Sequence, residues 1–109
     1  MPEIIHLTDA TFSRAIQESE SCVLVEFGAI WCSPCRQMEP VLLEYASRYP
    51  GVLNIVKVDV DEALETTLKF GVMSVPTFIL FSRGEEKQRT SGKQSLARLA
   101  EKFDPYIRS

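Results

Sequence analysis

Two cysteines, Cys32 and Cys35, are separated by two residues in the stretch WCSPC. A C-x-x-C pair can bind a metal ion, form a permanent structural disulfide, or make and break a disulfide in a redox reaction. The chain has three cysteines, an odd number and too few for the disulfide framework of a small secreted protein. In a reducing compartment a close pair is typical of metal binding or catalysis, so the choice depends on the residues around it.

A helix is predicted to begin just after Cys32. Pro34 favours the first turn of a helix, which puts Cys32 at the N-terminus among unpaired amide groups and near the positive end of the helix dipole. This position stabilises a thiolate at Cys32. Cys35 lies one turn further in, on the face that carries Met38 and Leu42. We therefore predict an exposed attacking sulfur at Cys32 and a buried resolving sulfur at Cys35, within disulfide reach of each other.

A zinc site is the alternative use of these thiols. Three cysteines and the single histidine, His6, are formally sufficient for a Cys₃His site. However, an extended strand separates Cys22 from Cys32 by roughly 20 Å, and there is no second C-x-x-C pair. We therefore expect no bound metal, with Cys22 buried and inert and His6 packed or at a sheet edge.

Apolar periodicity predicts nine elements in the order β-α-β-α-β-α-β-β-α. The predicted strands are apolar or β-branched runs, except for a polar edge strand near the end, and cover residues 4–7, 22–27, 53–60, 77–81 and 86–90. Thr8 is predicted to cap the first helix, and Pro105 to end the last one. The alternation indicates parallel strands with helices on both faces, followed by an antiparallel hairpin. Active loops of such sheets follow the C-terminal ends of parallel strands, where WCSPC follows Phe27.

Two charged residues interrupt apolar strands, Glu26 in VLVEF and Lys57 in NIVKVDV. Because an isolated buried charge is costly, one interpretation is that the two neutralise each other. The other is that Glu26, with a pKa raised by burial, exchanges a proton with Cys35 through water. We favour the second interpretation, since ionisable groups buried near a reactive site are often functional.

Length and charge narrow the remaining classes of function. The chain has 109 residues, enough for one domain with its own core, and a net charge of −3. That charge gives no footprint for nucleic acid or an anionic membrane, and no apolar run is long enough to span a bilayer. The N-terminal stretch MPEIIHLTDATF lacks a basic start and a long apolar run, so we expect a cytoplasmic protein.

The set of motifs, in its order, resembles the thioredoxin family along essentially the whole chain. The set comprises WCSPC after VLVEFGAI, Pro40 in the following helix, KVDVDE, GVMSVPTFILF and Gly92. The resemblance implies an α/β thioredoxin fold, a central mixed five-stranded sheet flanked by four helices, with residues 1–109 as a single domain. It also implies a monomeric thiol–disulfide oxidoreductase that reduces target proteins. Such a protein holds no cofactor and receives electrons from NADPH through a flavin-containing thioredoxin reductase.

The resemblance further implies roles for individual residues. Cys32 is the nucleophile that attacks a target disulfide, and Cys35 resolves the mixed disulfide, leaving the pair oxidised. The family usually carries Asp at the position of Glu26 and Lys at that of Lys57, and we take Lys57 as the charge partner of Glu26.

A docking rim is implied around Cys32. Pro76 in SVPT matches the family's cis-proline loop, although an ordinary trans proline opening a strand is the alternative. The backbone of Val75 would bond an extended target segment, and Ile30, Trp31 and Gly92 would complete an apolar rim with Val75 and Pro76.

Three residues depart from the usual family pattern. Gly28 replaces an aromatic residue and is expected to loosen packing under the active-site loop. Glu26 is one methylene longer than Asp, and Ser33 replaces Gly. The Ser33 hydroxyl is expected to donate to the Cys32 thiolate and shift its redox poise modestly, while Pro34 fixes the helix start. Alternatives to a general reductase are a dedicated reductant of one partner, or a binding module with incidental thiols.

Overall fold

Five strands form one mixed sheet in a computed structural model, which describes residues 4–107. The strands are β1 (Ile5–Leu7), β2 (Cys22–Gly28), β3 (Leu53–Asp59), β4 (Thr77–Ser82) and β5 (Glu85–Ser91). Their order across the sheet is β1-β3-β2-β4-β5. β3 pairs in parallel with β1 and with β2, whereas β4 pairs antiparallel with β2 and β5. The polar strand β5 lies at the edge, as predicted.

Four helices cover the sheet. They are α1 (Phe12–Gln17), α2 (Ser33–Ser47), α3 (Leu64–Lys69) and α4 (Leu96–Ile107). One core joins the inner faces of α2 and α4 to the sheet, and includes Met38, Leu42, Tyr45, Leu99 and Phe103. A second core lies on the opposite face, and includes Phe12, Ile16, Val25, Phe27 and Phe81. Because β2 is covered on both faces, all seven of its residues are buried. The predicted α/β thioredoxin fold, a five-stranded mixed sheet with four helices, is confirmed.

The register of the central strands places charged residues near the end of the sheet at which WCSPC lies. In the parallel pair β2–β3, Glu26 lies opposite Lys57, and Gly28 lies opposite Asp59. The chain leaves β2 at Gly28 and enters α2 five residues later. The stretch WCSPC therefore lies at the C-terminal ends of the two central parallel strands, as predicted.

Two predicted helix ends are wrong. The hydroxyl of Thr8 does not cap α1: its carbonyl oxygen accepts from the amides of Thr11 and Phe12, and the helix begins at Phe12. Pro105 does not end α4, which continues to Ile107. A proline this close to the C-terminus removes a single intrahelical hydrogen bond, and the burial of Ile107 favours continuing the helix.

Within residues 4–107, every helix is too short or too polar to cross a bilayer.

Candidate functional site

Cys32 and Cys35 form a disulfide at the start of α2, with their Cα atoms 5.3 Å apart. The helix begins at Ser33, Pro34 occupies its first turn, and Cys32 is the N-cap residue. The Cys35 amide donates to Cys32 Sγ at 3.2 Å, so the sulfur of Cys32 receives one of the amide groups that the helix start leaves unpaired. This arrangement favours negative charge on the sulfur of Cys32 when the pair is reduced.

The predicted difference in exposure between the two cysteines is wrong. Both residues are buried, with 4% of each exposed. In the oxidised pair the two sulfurs are bonded to each other. The two cysteines form a small buried cluster with Ala29, and Val60 and Val75 pack against it. The two sulfurs differ in their surroundings instead: Cys32 receives the helix-terminal amide, and Cys35 faces β2.

Gly28 lies directly against Cys35. A Cβ atom at position 28 would lie 3.1 Å from Cys35 Sγ and 3.3 Å from its Cβ. Both distances are shorter than ordinary van der Waals contact. A side chain at position 28 would therefore press against Cys35, and the expectation that Gly28 loosens the packing under the active-site loop stays a prediction.

Large apolar side chains stand exposed beside the disulfide. Ile30 is 77% exposed and Trp31 is 69% exposed. The Trp31 indole donates to Asp61 Oδ2 at 2.9 Å, which ties this side chain to the turn that follows β3. These two residues form the outer side of the predicted rim.

The loop before β4 forms the other side of the rim. The Val75–Pro76 peptide bond is cis, as predicted. Val75 is half-buried and Pro76 is buried. The Gly92 amide donates to the carbonyl oxygen of Pro76 at 2.8 Å, and Gly92 has a φ of 85°, a conformation that favours glycine. Met73, two residues before Val75, is 96% exposed.

Glu26 is a buried carboxyl group with incomplete pairing. It is 1% exposed, Lys57 Nζ lies 3.6 Å from its Oε1, and its Oε2 has no hydrogen-bond partner among the described residues. Burial raises the pKa of Glu26 to about 7, against the opposing charge of Lys57. Glu39 adds to the rise, because its carboxylate repels a second negative charge. Glu26 is thus poised between its protonated and charged forms near neutral pH.

A cleft of about 160 Å³ connects Glu26 with Cys35. Its lining includes both residues together with Gly28, Lys57, His6 and Arg36. It is large enough for several water molecules, and its polar groups could hold them. A larger, apolar groove of about 590 Å³ lies beneath β1 and α1, but its lining contains neither cysteine nor either member of the Glu26–Lys57 pair. The smaller cleft is therefore the one relevant to the thiol chemistry.

Sequence reasoning missed two residues at this site. Glu39 accepts from Lys57 Nζ at 2.9 Å, and Asp61 accepts from Trp31. A signal for Glu39 was present, since it follows Cys35 by four residues and so lies on the same side of α2. Nothing in the sequence pairs Asp61 with Trp31, which are thirty positions apart.

The remaining predicted positions lie away from the sulfurs or make other contacts. The Ser33 hydroxyl oxygen accepts a long hydrogen bond from Gln37 at 3.4 Å. Cys22 is a free, buried cysteine at the far end of β2, and His6 is exposed on the edge strand β1. Across residues 4–107, no three His, Cys, Asp or Glu side chains are grouped so that they could hold a metal ion.

Comparison with known proteins indicates the same family as the sequence motifs, over nearly the whole length of this chain. The thioredoxin family model matches residues 3–105. A thioredoxin of Alicyclobacillus acidocaldarius is 49% identical over 88 residues, which are 81% of this chain and 83% of that protein. Thioredoxins of Staphylococcus saprophyticus and Staphylococcus aureus are 43% and 40% identical over 104 residues, each match covering 95% of this chain and 98% of the relative.

The matches to thioredoxins are consistent with the disulfide between Cys32 and Cys35 at the start of α2. The chain therefore belongs to the thioredoxin family, and it is a thiol–disulfide oxidoreductase that acts by dithiol exchange.

Proposed function

We propose that the protein reduces disulfides in other proteins, with Cys32 as the nucleophile and Cys35 as the resolving thiol. The Cys32 thiolate attacks one sulfur of a target disulfide; a bond forms between Cys32 and that sulfur, and the second target sulfur leaves as a thiolate. The Cys35 thiolate then attacks Cys32 Sγ and releases the first target sulfur. Two electrons pass to the target, whose thiolates take up protons, and the Cys32–Cys35 disulfide remains. The position of Cys32 at the N-cap of α2 carries this assignment.

Glu26 is the proton acceptor for Cys35 in this proposal. Cys35 must lose its proton before it can attack, and an acceptor works best when its pKa lies near the working pH. Glu26 meets that condition, with a pKa raised to about 7, and it shares the cleft with Cys35. Water in the cleft would relay the proton, and Lys57 would stabilise the charged form of Glu26 as its charge partner.

Target proteins dock on the rim formed by Ile30, Trp31, Val75, Pro76 and Gly92. The exposed side chains of Ile30 and Trp31 suit an apolar, extended segment that is brought close to Cys32. The backbone of Val75 would pair with that segment as an added strand. Ser33 and Pro34, beside Cys32 in the first turn of α2, would adjust the reactivity of its thiolate.

The oxidised pair is returned to the dithiol form by another protein. We propose that a flavin-containing thioredoxin reductase supplies the electrons from NADPH, and that the chain itself binds no cofactor. The cycle requires a reducing compartment, so we assign the protein to the cytoplasm, where residues 1–109 act as one monomeric domain. The thioredoxin names of its relatives support the reductase link.

An insulin-reduction assay with cysteine variants tests the proposal. With dithiothreitol as the electron source, Cys32→Ser should abolish turnover. Reduced Cys35→Ser, mixed with insulin after the dithiothreitol has been removed, should accumulate a mixed disulfide that a non-reducing gel resolves. Cys22→Ser is the matched control and should retain the wild-type rate, because Cys22 is buried away from the pair. A Cys32→Ser protein that reduces insulin as fast as the wild type would overturn the assignment.

The same assay distinguishes a second candidate, a dedicated reductant of one partner. The departures at Gly28, Glu26 and Ser33 favour it, since all three lie at or next to the cleft and the disulfide. A general reductase should be active with NADPH and a standard thioredoxin reductase, whereas a dedicated one should be active only with the chemical reductant. Inactivity with both would indicate a binding module with incidental thiols.

A further inference from the structure

Lys57 is shared by two carboxylates from different elements. Its ammonium nitrogen lies 2.9 Å from Glu39 Oε2, a hydrogen-bonding distance, and 3.6 Å from Glu26 Oε1. The Glu39 side chain is 48% exposed, whereas Glu26 is fully buried. Lys57 thus makes its shorter contact with Glu39. An unpaired charge costs less free energy on Glu39 than on the buried Glu26, because water solvates the Glu39 carboxylate.

The geometry of α2 explains how Glu39 reaches Lys57. Glu39 follows Cys35 by one helical turn, and Cys35 lies against β2. Lys57 is the neighbour of Glu26 across the β2–β3 ladder, so its side chain starts beside the buried carboxyl. The ammonium group nevertheless lies nearer to the carboxylate of Glu39 than to that of Glu26. Glu26 Oε2 has no hydrogen-bond partner among the described residues.

We propose that Glu39 is a positioning residue that draws Lys57 away from Glu26 and thereby keeps Glu26 able to hold a proton at neutral pH. The proposal deepens the proposed function, since it rests on Glu26 as the proton acceptor for Cys35.

Removing the charge of Glu39 has two effects on Glu26, and both should lower the pKa of Glu26. The direct repulsion between the two carboxylates disappears, and Lys57 becomes free to move fully onto Glu26 and donate to its unpaired oxygen. Each effect stabilises the charged form of Glu26, so its pKa should fall from the value of about 7 that burial sustains.

The other charged groups at the cleft remain in place in such a variant. The charged ones are Arg36 on α2 and Asp59 on β3, and the cleft is also lined by the imidazole of His6 on β1. The neighbour of Glu26 on β4 is Phe78, which carries no charge. A change in Glu26 titration after substitution of Glu39 is therefore attributable to Glu39 and Lys57.

The test is a direct titration of the Glu26 carboxyl by carbon-13 NMR in the oxidised protein. Cys32 and Cys35 do not ionise there, because they are joined in the disulfide. In Glu39→Ala, we expect the proton affinity of Glu26 to fall about tenfold, a drop of about one pH unit in its midpoint. Glu39→Gln keeps a hydrogen-bond acceptor for Lys57 without the charge, so its shift should be smaller. Glu44→Gln removes an exposed charge from the same helix and serves as the control, with no shift expected.

A double-mutant cycle separates positioning from simple repulsion. If Glu39 acts through Lys57, the effect of Glu39→Ala on Glu26 should shrink severalfold in a Lys57→Met background. An equal shift in both backgrounds, or no shift in Glu39→Ala, would overturn the proposal. Because this titration involves no turnover, its result is independent of whether Glu26 accepts the proton of Cys35, which the pH dependence of mixed-disulfide resolution in Glu26→Gln tests separately.

Discussion

Glu26 shows how one buried side chain couples stability to chemistry. Its pKa is raised from an ordinary value of 4.5 to about 7, chiefly by burial. The folded chain therefore binds this proton more tightly than the unfolded chain does. Its contribution to stability is largest below the unfolded pKa and is lost as the pH rises through the folded pKa. The same shift that makes Glu26 a suitable proton acceptor thus makes it a stability liability above pH 7.

Glu26→Gln should remove this pH dependence. In the oxidised wild type, the free energy of unfolding should fall between about pH 5 and about pH 8.5, with Glu26 contributing at most roughly 3 kcal/mol of the fall. The variant should lose less stability over the same interval, because Gln does not ionise. Urea denaturation of both proteins at the two pH values measures the difference. The Glu44→Gln control should behave as wild type, and a Glu26→Gln protein with an unaltered pH dependence would contradict the assignment.

For single residues, the neighbouring sequence predicts the burial and the partners of some side chains but not of others. Glu26 and Lys57 were predictable, because a charge inside an apolar strand must be paired or functional. The burial of Cys32 and the exposure of Met73 were not, since each depends on which loops fold over the position. Glu39 and Asp61 pair with residues distant in the chain, and such pairs become visible only when a helix or a turn is placed against the sheet.

At the scale of elements, Asp9 is tied to a helix that lies far from it in the chain. Asp9 Oδ1 accepts from the amide and the hydroxyl of Thr66, at 2.8 Å and 2.7 Å, and Oδ2 accepts from the amide of Glu65 at 3.3 Å. These bonds lower the pKa of Asp9 and satisfy amides that the start of α3 leaves unpaired. The N-cap residue Ala63 supplies no side chain that could do so.

Asp9→Ala should loosen the start of α3. We expect faster amide hydrogen exchange at Glu65 and Thr66, with little change in the strands of the sheet. Lowering the pH through the depressed pKa of Asp9 should have the same effect in the wild type, because the bonds require the charged carboxylate. Glu20→Ala, which removes a comparable exposed charge, provides the control. Unchanged exchange at both amides would show that water replaces Asp9 without loss.

The order of elements was predictable, and their ends were less so. Apolar periodicity distinguishes strands from helices over several residues, whereas the end of a helix depends on one or two hydrogen bonds. Thr8 has a suitable hydroxyl, but its carbonyl oxygen is the group that receives the first amides of α1. Pro105 is a helix breaker by type, yet the core contact of Ile107 outweighs the loss of one hydrogen bond.

For the molecule as a whole, the two cores stabilise a sheet whose chemistry lies at one end. Leu99 is fully buried in the core between α4 and the sheet. Leu99→Ala should lower the free energy of unfolding by about 2–5 kcal/mol, through lost burial and a residual cavity. The insulin-reduction rate of the remaining folded protein should be unchanged. Denaturant unfolding and the assay measure the two effects, and Arg98→Ala is the exposed neighbour for comparison. A large loss of turnover in folded Leu99→Ala would contradict this separation.

The arrangement of strands is a property of the whole molecule that periodicity alone does not determine. The alternation of elements indicated parallel strands and a final antiparallel hairpin, both of which are present. It did not say that β3 lies between β1 and β2, because many orders satisfy the same local patterns. The resemblance to the thioredoxin family implied a mixed five-stranded sheet with four helices, and the structure adds the order of its strands.

The exposed side chain of Met73 makes the region near the disulfide susceptible to oxidation. Oxidants convert a methionine thioether into a polar sulfoxide, and they reach Met73 before Met38, which is fully buried. Because Met73 lies two residues before Val75, the added oxygen enters the part of the chain on which we propose that targets dock. Among residues 4–107, methionine oxidation during storage in air should therefore begin near the cysteines, and an aged sample should bind its targets less well while its fold and its disulfide stay intact.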